Sequence, residues 1–173
     1  MVWVDCEMTG LDPDRHVILE IATLITDFDL NLVARGPELA IRQSAAKMRA
    51  MDPWPRKTHK ASGLLDRVAD EGVTLAEAEA HTLRFVRKYC YANTAPLCGN
   101  SVWQDKRFLS RYMPAFHDFL HYRIVDVSSV KQLVAHWCPR RQYAPVKTET
   151  HRALADIEES IAELAAYKAI FAK

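Results

Sequence analysis

The chain has 173 residues, 49% of them apolar and 26% charged, enough for one domain over residues 1–173 with its own core. Its 23 basic and 22 acidic side chains leave a net charge of +1, and the densest basic stretch is RKTHK at 56–60, so a site that grips many phosphates of a long nucleic acid is not expected. No apolar run approaches a membrane span and no charged-then-apolar leader precedes the first expected strand, which predicts a soluble, cytoplasmic protein with no membrane partner. Cys6, Cys90, Cys98 and Cys138 have no C-x-x-C spacing. That speaks against a zinc finger or redox pair and suits a reducing compartment.

In chain order, residues 2–8 predict a strand and TGLDP at 9–13 a turn. HVILEIATLITD at 16–27 predicts a second strand, and 30–43 a third, broken near Gly36 and Pro37. Short connections make these three an antiparallel meander. A short helix over 44–51 follows, and Pro53 and Pro55 prevent its continuation through 52–59. Thr74 and Glu77 form a capping box for a helix that places Leu75, Ala78, Leu83 and Val86 on one face. Then come a short buried strand at 95–99, a helix at 103–112, a strand at 122–127 and a helix at 128–137. The last helix, about 152–171, puts Leu154, Ile157, Ile161 and Leu164 on one face, with Glu158, Glu159 and Glu163 assigned to a solvated face. The pattern is an α/β domain with a mixed sheet whose later strands are parallel. Its five glycines form no G-x-G-x-x-G and no phosphate-binding loop.

The first strand carries two carboxylates, Asp5 and Glu7, in VDCEMTG. Alternation places both on one face and Val4, Cys6 and Met8 on the other. Paired carboxylates on a mostly buried strand cost free energy unless protons or cations neutralise them. Alone, the pair fits a solvated edge strand at least as well as half of a metal site. Asp105 follows a buried strand in N-x4-D, and His151 and Asp156 form H-x4-D at the start of the last helix. Each has a bland reading, but Asp156 adjoins Ile157 at the edge of the apolar stripe, where a solvated face explains it poorly.

Together these motifs resemble those of the DEDDh family of 3′-to-5′ exonucleases, which have a ribonuclease H-like fold with a mixed five-stranded sheet flanked by helices. The segments WVDCEMTGLDP, THKASGL, PLCGNSVWQDKRFL, YRIVDVSS and HRALADIEESIAEL are similar, in the same order, to those of its oligoribonuclease branch. The resemblance spans nearly the whole chain. The loop CPRRQYAPVKTET at 138–150 is its least family-like part.

Four carboxylates suit two divalent cations, Mg2+ or Mn2+, for phosphoryl displacement. By the resemblance Asp5, Glu7, Asp105 and Asp156 are the metal ligands and His151 takes the proton from the attacking water. Leu11 would wedge against the bases. Trp54 and His59 would offer aromatic surface to a base, and core packing of Trp54 is the competing reading. Ser101, Arg123 and Ser128 would cap the 5′ phosphate and close the site to longer chains. Tyr122 would reach the neighbouring subunit's site, implying a homodimer. The expected activity is hydrolysis of very short RNA, chiefly dinucleotides with pGpG a candidate, to 5′-mononucleotides. A DEDDh exonuclease trimming longer RNA or DNA 3′ ends is the alternative. A catalytically dead relative should lack a motif residue, and a purely structural domain leaves Asp105 and Asp156 without explanation.

Overall fold

The computed structural model describes residues 1–138 and 152–171. Its first strands, β1 (Val2–Met8), β2 (Ile18–Thr26) and β3 (Leu32–Ala40), form the expected antiparallel meander. β4 (Pro96–Gly99) lies parallel to β1, and β5 (His121–Asp126) parallel to β4, giving the order β3-β2-β1-β4-β5. The helices are α1 (Ala45–Arg49), α2 (Pro53–Ala61), α3 (Leu64–Asp70), α4 (Leu75–Val86), α5 (Trp103–Tyr112), α6 (Pro114–Phe119), α7 (Val127–Trp137) and α8 (Ala153–Phe171). This is a ribonuclease H-like α/β fold.

Every residue of β2 is buried. Both faces of the sheet are covered there, so the strand reads as a continuous apolar run rather than an alternating one. On one face Val2, Val4, Cys6, Ile21 and Ile25 pack with Ala78, Phe108 and Phe116 of α4, α5 and α6. On the other, Trp3, Ala22 and Leu24 pack with Val134 of α7 and with Ala153, Ile157 and Tyr167 of α8. The alternation expected for β1 therefore holds, and Asp5 and Glu7 lie on the face covered by α8.

Two expectations are overturned, and one helix was not anticipated. As expected, residues 52–59 do not continue α1, which ends at Arg49; they form a separate helix that the sequence reading did not anticipate, opened by Pro53 with Asp52 at its N-cap position. The first helical position needs no N–H donor and favours the φ of proline. Gly36 and Pro37 do not break β3. The pairing register instead shifts between Ala22↔Glu38 and Leu24↔Arg35, and an edge strand accommodates a residue with no N–H. Glu163 does not lie on a solvated face. It is fully buried, accepts hydrogen bonds from Tyr167 Oη (2.7 Å) and Asn100 Nδ2 (3.1 Å), and lies 3.4 Å from Lys131 Nζ.

Candidate active site

β1 and β4 pair only at Val2↔Leu97 and Trp3↔Cys98. Beyond that point the chain of β4 turns into α5, whose first turn carries Asp105. A buried backbone donor needs a partner. Asp105 supplies it, its Oδ1 accepting the Cys6 N–H at 2.9 Å between Asp5 and Glu7. From the opposite side α8 lays its first turn over the strand. Carboxylate oxygens of Asp5, Glu7 and Asp156 lie within 4.8 Å of one another.

This crowding is costly without cations. Burial, followed by repulsion from Asp105, Glu7 and Asp156, holds the Asp5 carboxyl well above the carboxylate range. Burial and then Asp156 push Glu7 up to about 8. Burial pushes Asp105 to about 7 against the opposing Cys6 N–H bond. A donor set of closely spaced, hard, electron-rich oxygens fits a divalent cation such as Mg2+ or Mn2+, which would replace those protons.

Beside Glu7 a cavity of about 640 Å³ is lined by Gly10, Leu11, Trp54, Pro55 and His59. Leu11 is 72% exposed and Trp54 65%, so Trp54 is not a core residue. His59 is buried in the wall: its Nε2 donates to the Met8 carbonyl at 2.9 Å, and its Nδ1 lies 3.7 Å from Glu7 Oε2. The turn that presents Leu11 is tied down on both sides. Thr9 Oγ1 meets His16 Nδ1 at 3.2 Å and accepts the Val17 N–H at 3.0 Å, and the Asp52 N–H bonds the Thr9 carbonyl at 2.9 Å. Gly10 is needed there, because a Cβ would sit 2.6 Å from both Asp52 Oδ2 and the His16 ring. Gln104 donates to the Leu11 carbonyl and is itself held by Arg107 at 2.9 Å.

Ser101 and Ser128 meet where β4 and β5 end, with their hydroxyls 3.1 Å apart. Asp126 Oδ1 accepts both backbone N–H groups, at 3.0 and 2.9 Å. These bonds hold Ser101 at φ +50, a conformation that costs a non-glycine residue about 1–3 kcal/mol. Arg123 and Tyr122 lie on the edge strand β5, with the Arg123 guanidinium 5.1 Å from the Tyr122 ring centroid. Tyr122 is 71% exposed and lines a second cavity of about 620 Å³ with Lys106, His117 and His121, apart from the one beside Glu7. His151 lies outside the described residues.

The Exonuclease family (RNase_T) matches residues 2–164. The oligoribonuclease of Pseudomonas paraeruginosa is 49% identical over all 173 residues, covering 96% of that protein. That of Shewanella sp. (strain MR-4) is 50% identical over 168 residues, 97% of this chain and 93% of the relative. The chain belongs to the oligoribonuclease family. It is accordingly an exonuclease acting on RNA, working 3′-to-5′ as the DEDDh motifs imply. Solved structures agree in fold. The zinc-bound E. coli exonuclease I–ssDNA complex superposes with a TM-score of 0.75 at 16% identity, over 99% of this chain and 41% of that one. A further exonuclease I structure gives 0.74 at 16% identity, over 97% and 40%. The chain thus spans about two fifths of those larger proteins.

Within this oligoribonuclease-family site, sequence reasoning missed the cluster that anchors the start of α8. Glu20, fully buried on β2, accepts hydrogen bonds from the Arg67 guanidinium and from the Ala153 N–H (3.3 Å). Glu38 on β3 accepts from Arg152 at 2.8 Å and from Arg67 at 3.3 Å. Arg152 and Ala153, the two residues that follow His151 at the start of α8, are thereby tied to the sheet. The available signal was a lone glutamate inside the apolar run VILEIATLI.

Proposed function

We propose that this protein is specialised for the shortest RNA substrates, hydrolysing dinucleotides, pGpG among them, to 5′-mononucleotides with two divalent cations. The observation that carries this reading is the Ser101–Ser128 pair, locked by Asp126 and connected through Asn100 to the helix that bears Asp156. A 5′-phosphate received by these hydroxyls and by the Arg123 fork would end the substrate a short distance from the carboxylates. The net charge of +1 suits a substrate needing few phosphate contacts.

In this reading Asp5, Glu7, Asp105 and Asp156 hold the cations. When bound, these supply Lewis-acid stabilisation of the charge that develops on the phosphate. His151 takes the proton of the attacking water. Leu11 separates the bases and Trp54 stacks on one, a contact worth about 1–3 kcal/mol, with His59 supporting both the cavity wall and Glu7. Tyr122, exposed on an edge strand, completes the site of a second copy in a homodimer. The whole chain acts as one cytoplasmic catalytic domain. No helix among the described residues is long and apolar enough to cross a membrane.

Turnover of 5′-labelled RNA of two to seven nucleotides, with Mg2+ and with Mn2+, tests the proposal. The dinucleotide should be cleaved fastest, and Arg123→Ala should flatten the length series. Equal rates at every length would favour an exonuclease of longer 3′ ends and remove the phosphate cap.

A further inference from the structure

Asn100, the first residue of the N-x4-D motif, has no assigned role, yet it touches both halves of the site. Its Oδ1 accepts the Ser128 hydroxyl at 3.0 Å. Its Nδ2 donates to Ser160 Oγ at 2.8 Å and to Glu163 Oε2 at 3.1 Å, both buried on α8. Ser160 Oγ in turn donates to the Asp156 carbonyl at 2.8 Å. The carboxylate of Glu163 requires a donor, which fixes the orientation of the amide.

Proton accounting then fixes the direction of the whole chain. A hydroxyl has one proton. Ser128 gives its proton to Asn100, so in the 3.1 Å Ser101–Ser128 contact the donor is Ser101. Bonds run one way from Ser101 through Ser128 to Asn100, and from the Asn100 amide through Ser160 to the main chain of Asp156. Hydrogen bonds aligned in this way polarise one another.

We propose that Asn100 is a positioning residue joining the 5′-phosphate end of the site to the helix that carries Asp156, so that phosphate recognition and metal-ligand placement depend on one side chain. The proposal rests on the phosphate-cap reading given above. Through Oδ1, Asn100 holds the Ser128 hydroxyl, so that the Ser101 hydroxyl, whose proton rests on Ser128, is the one that turns toward a phosphate by exchanging that single bond. Through Nδ2 it holds α8 one turn beyond Asp156, and groups that orient metal ligands contribute about 10–100-fold to affinity or activity.

Two quantities test it: the ratio of kcat/KM for pApA over ApA, and the Mn2+ affinity of the substrate-free protein measured by EPR. Asn100→Ala should lower the ratio on the order of tenfold and weaken Mn2+ binding about 10–100-fold. Ser128→Ala should lower only the ratio, and Ser160→Ala only the Mn2+ affinity. These milder variants carry the test if Asn100→Ala does not fold. A purely structural asparagine would reduce the folded fraction and leave both quantities at their wild-type values. Either quantity unchanged in Asn100→Ala, or Mn2+ affinity unchanged in Ser160→Ala, overturns the proposal while the cap reading stands. A wild-type protein indifferent to the 5′-phosphate removes the cap reading and the proposal with it.

Discussion

Glu7 and Glu20 are direct cross-strand partners, yet their carboxylates are neutralised by different means. Glu20 is buried against Arg67 and the start of α8. Glu7 turns toward Asp5 and Asp156, where burial and repulsion push its carboxyl up to about 8. One strand pair thus carries a permanent ion pair that anchors the helix and, beside it, a charge left for a cation to satisfy.

The pH dependence of metal-free stability follows from that difference. Glu7 titrates ordinarily at 4.5 and in the fold at about 8, and Asp105 rises from 3.8 to about 7. The folded state therefore binds protons that the unfolded chain has released, and stability falls as pH rises through this window. Each such proton contributes a slope of about 1.4 kcal/mol per pH unit. Urea unfolding in EDTA should show stability declining from pH about 5 to about 8.5. Mg2+ should flatten the decline, and Glu7→Gln should remove part of it. A metal-free protein that grows more stable over this range would contradict the account of the carboxylate cluster.

Arg67→Ala tests the helix anchor. It leaves the Glu20 carboxylate buried without its guanidinium, which costs about 3–5 kcal/mol. Pairing Arg67→Met with Glu20→Leu should recover much of that loss, since an apolar pair needs no counter-charge. Activity should not recover with stability, because nothing then ties Ala153 to the sheet through Glu20. Denaturant melts alongside single-turnover rates would separate the two effects.

How much of this was legible depended on whether a local pattern decided the outcome. The paired faces of Asp5 and Glu7 followed from strand alternation, and the Thr74–Glu77 capping box formed as its spacing implied. Pro53 stopped α1 as expected but hid α2, because proline forbids a helix interior yet favours a helix start, and only the burial of Pro55 and His59 distinguishes the two. The short helices α3 and α6 bury too few side chains to leave a periodic signal. Glu163 was misread for another reason: the buried residues of α8 include Ile157, Ser160, Glu163 and Tyr167, helical spacing in which the polar members hide the stripe. Their hydrogen bonds to Asn100 and to one another come from tertiary neighbours that no local window contains. The same is true of the Asp105–Cys6 bond, which spans 99 positions.

His151→Ala should lower kcat by roughly 10²–10⁴-fold, the contribution of a positioned general base. Mn2+ affinity should be unchanged, since the assigned role is toward water and not toward a cation. Rapid-quench turnover at saturating metal, with EPR-monitored Mn2+ binding, checks both halves. Loss of metal binding with kcat preserved would make the histidine a ligand instead.

The exposed edge strand β5 carries Tyr122. Tyr122 stands 71% exposed, its ring stacked 4.5 Å from that of His121, and it lies outside the cavity that Glu7, Leu11 and Trp54 share. If it serves the partner's site, a two-fold dimer uses it twice, acting in trans while Asp5 acts in cis. Tyr122→Ala should then impair hydrolysis with Mn2+ affinity intact, and Asp5→Asn should abolish it. When the two inactive chains are mixed and their subunits exchange, one site of each heterodimer combines the carboxylates of the Tyr122→Ala chain with Tyr122 from its Asp5→Asn partner. The other site carries both defects and stays silent. Activity should return to at most about half the wild-type value per dimer, by symmetry. Native mass spectrometry establishes whether exchange has occurred. Exchange without any recovery of activity would place Tyr122 in its own chain's site or in folding alone, and would detach dimerisation from catalysis.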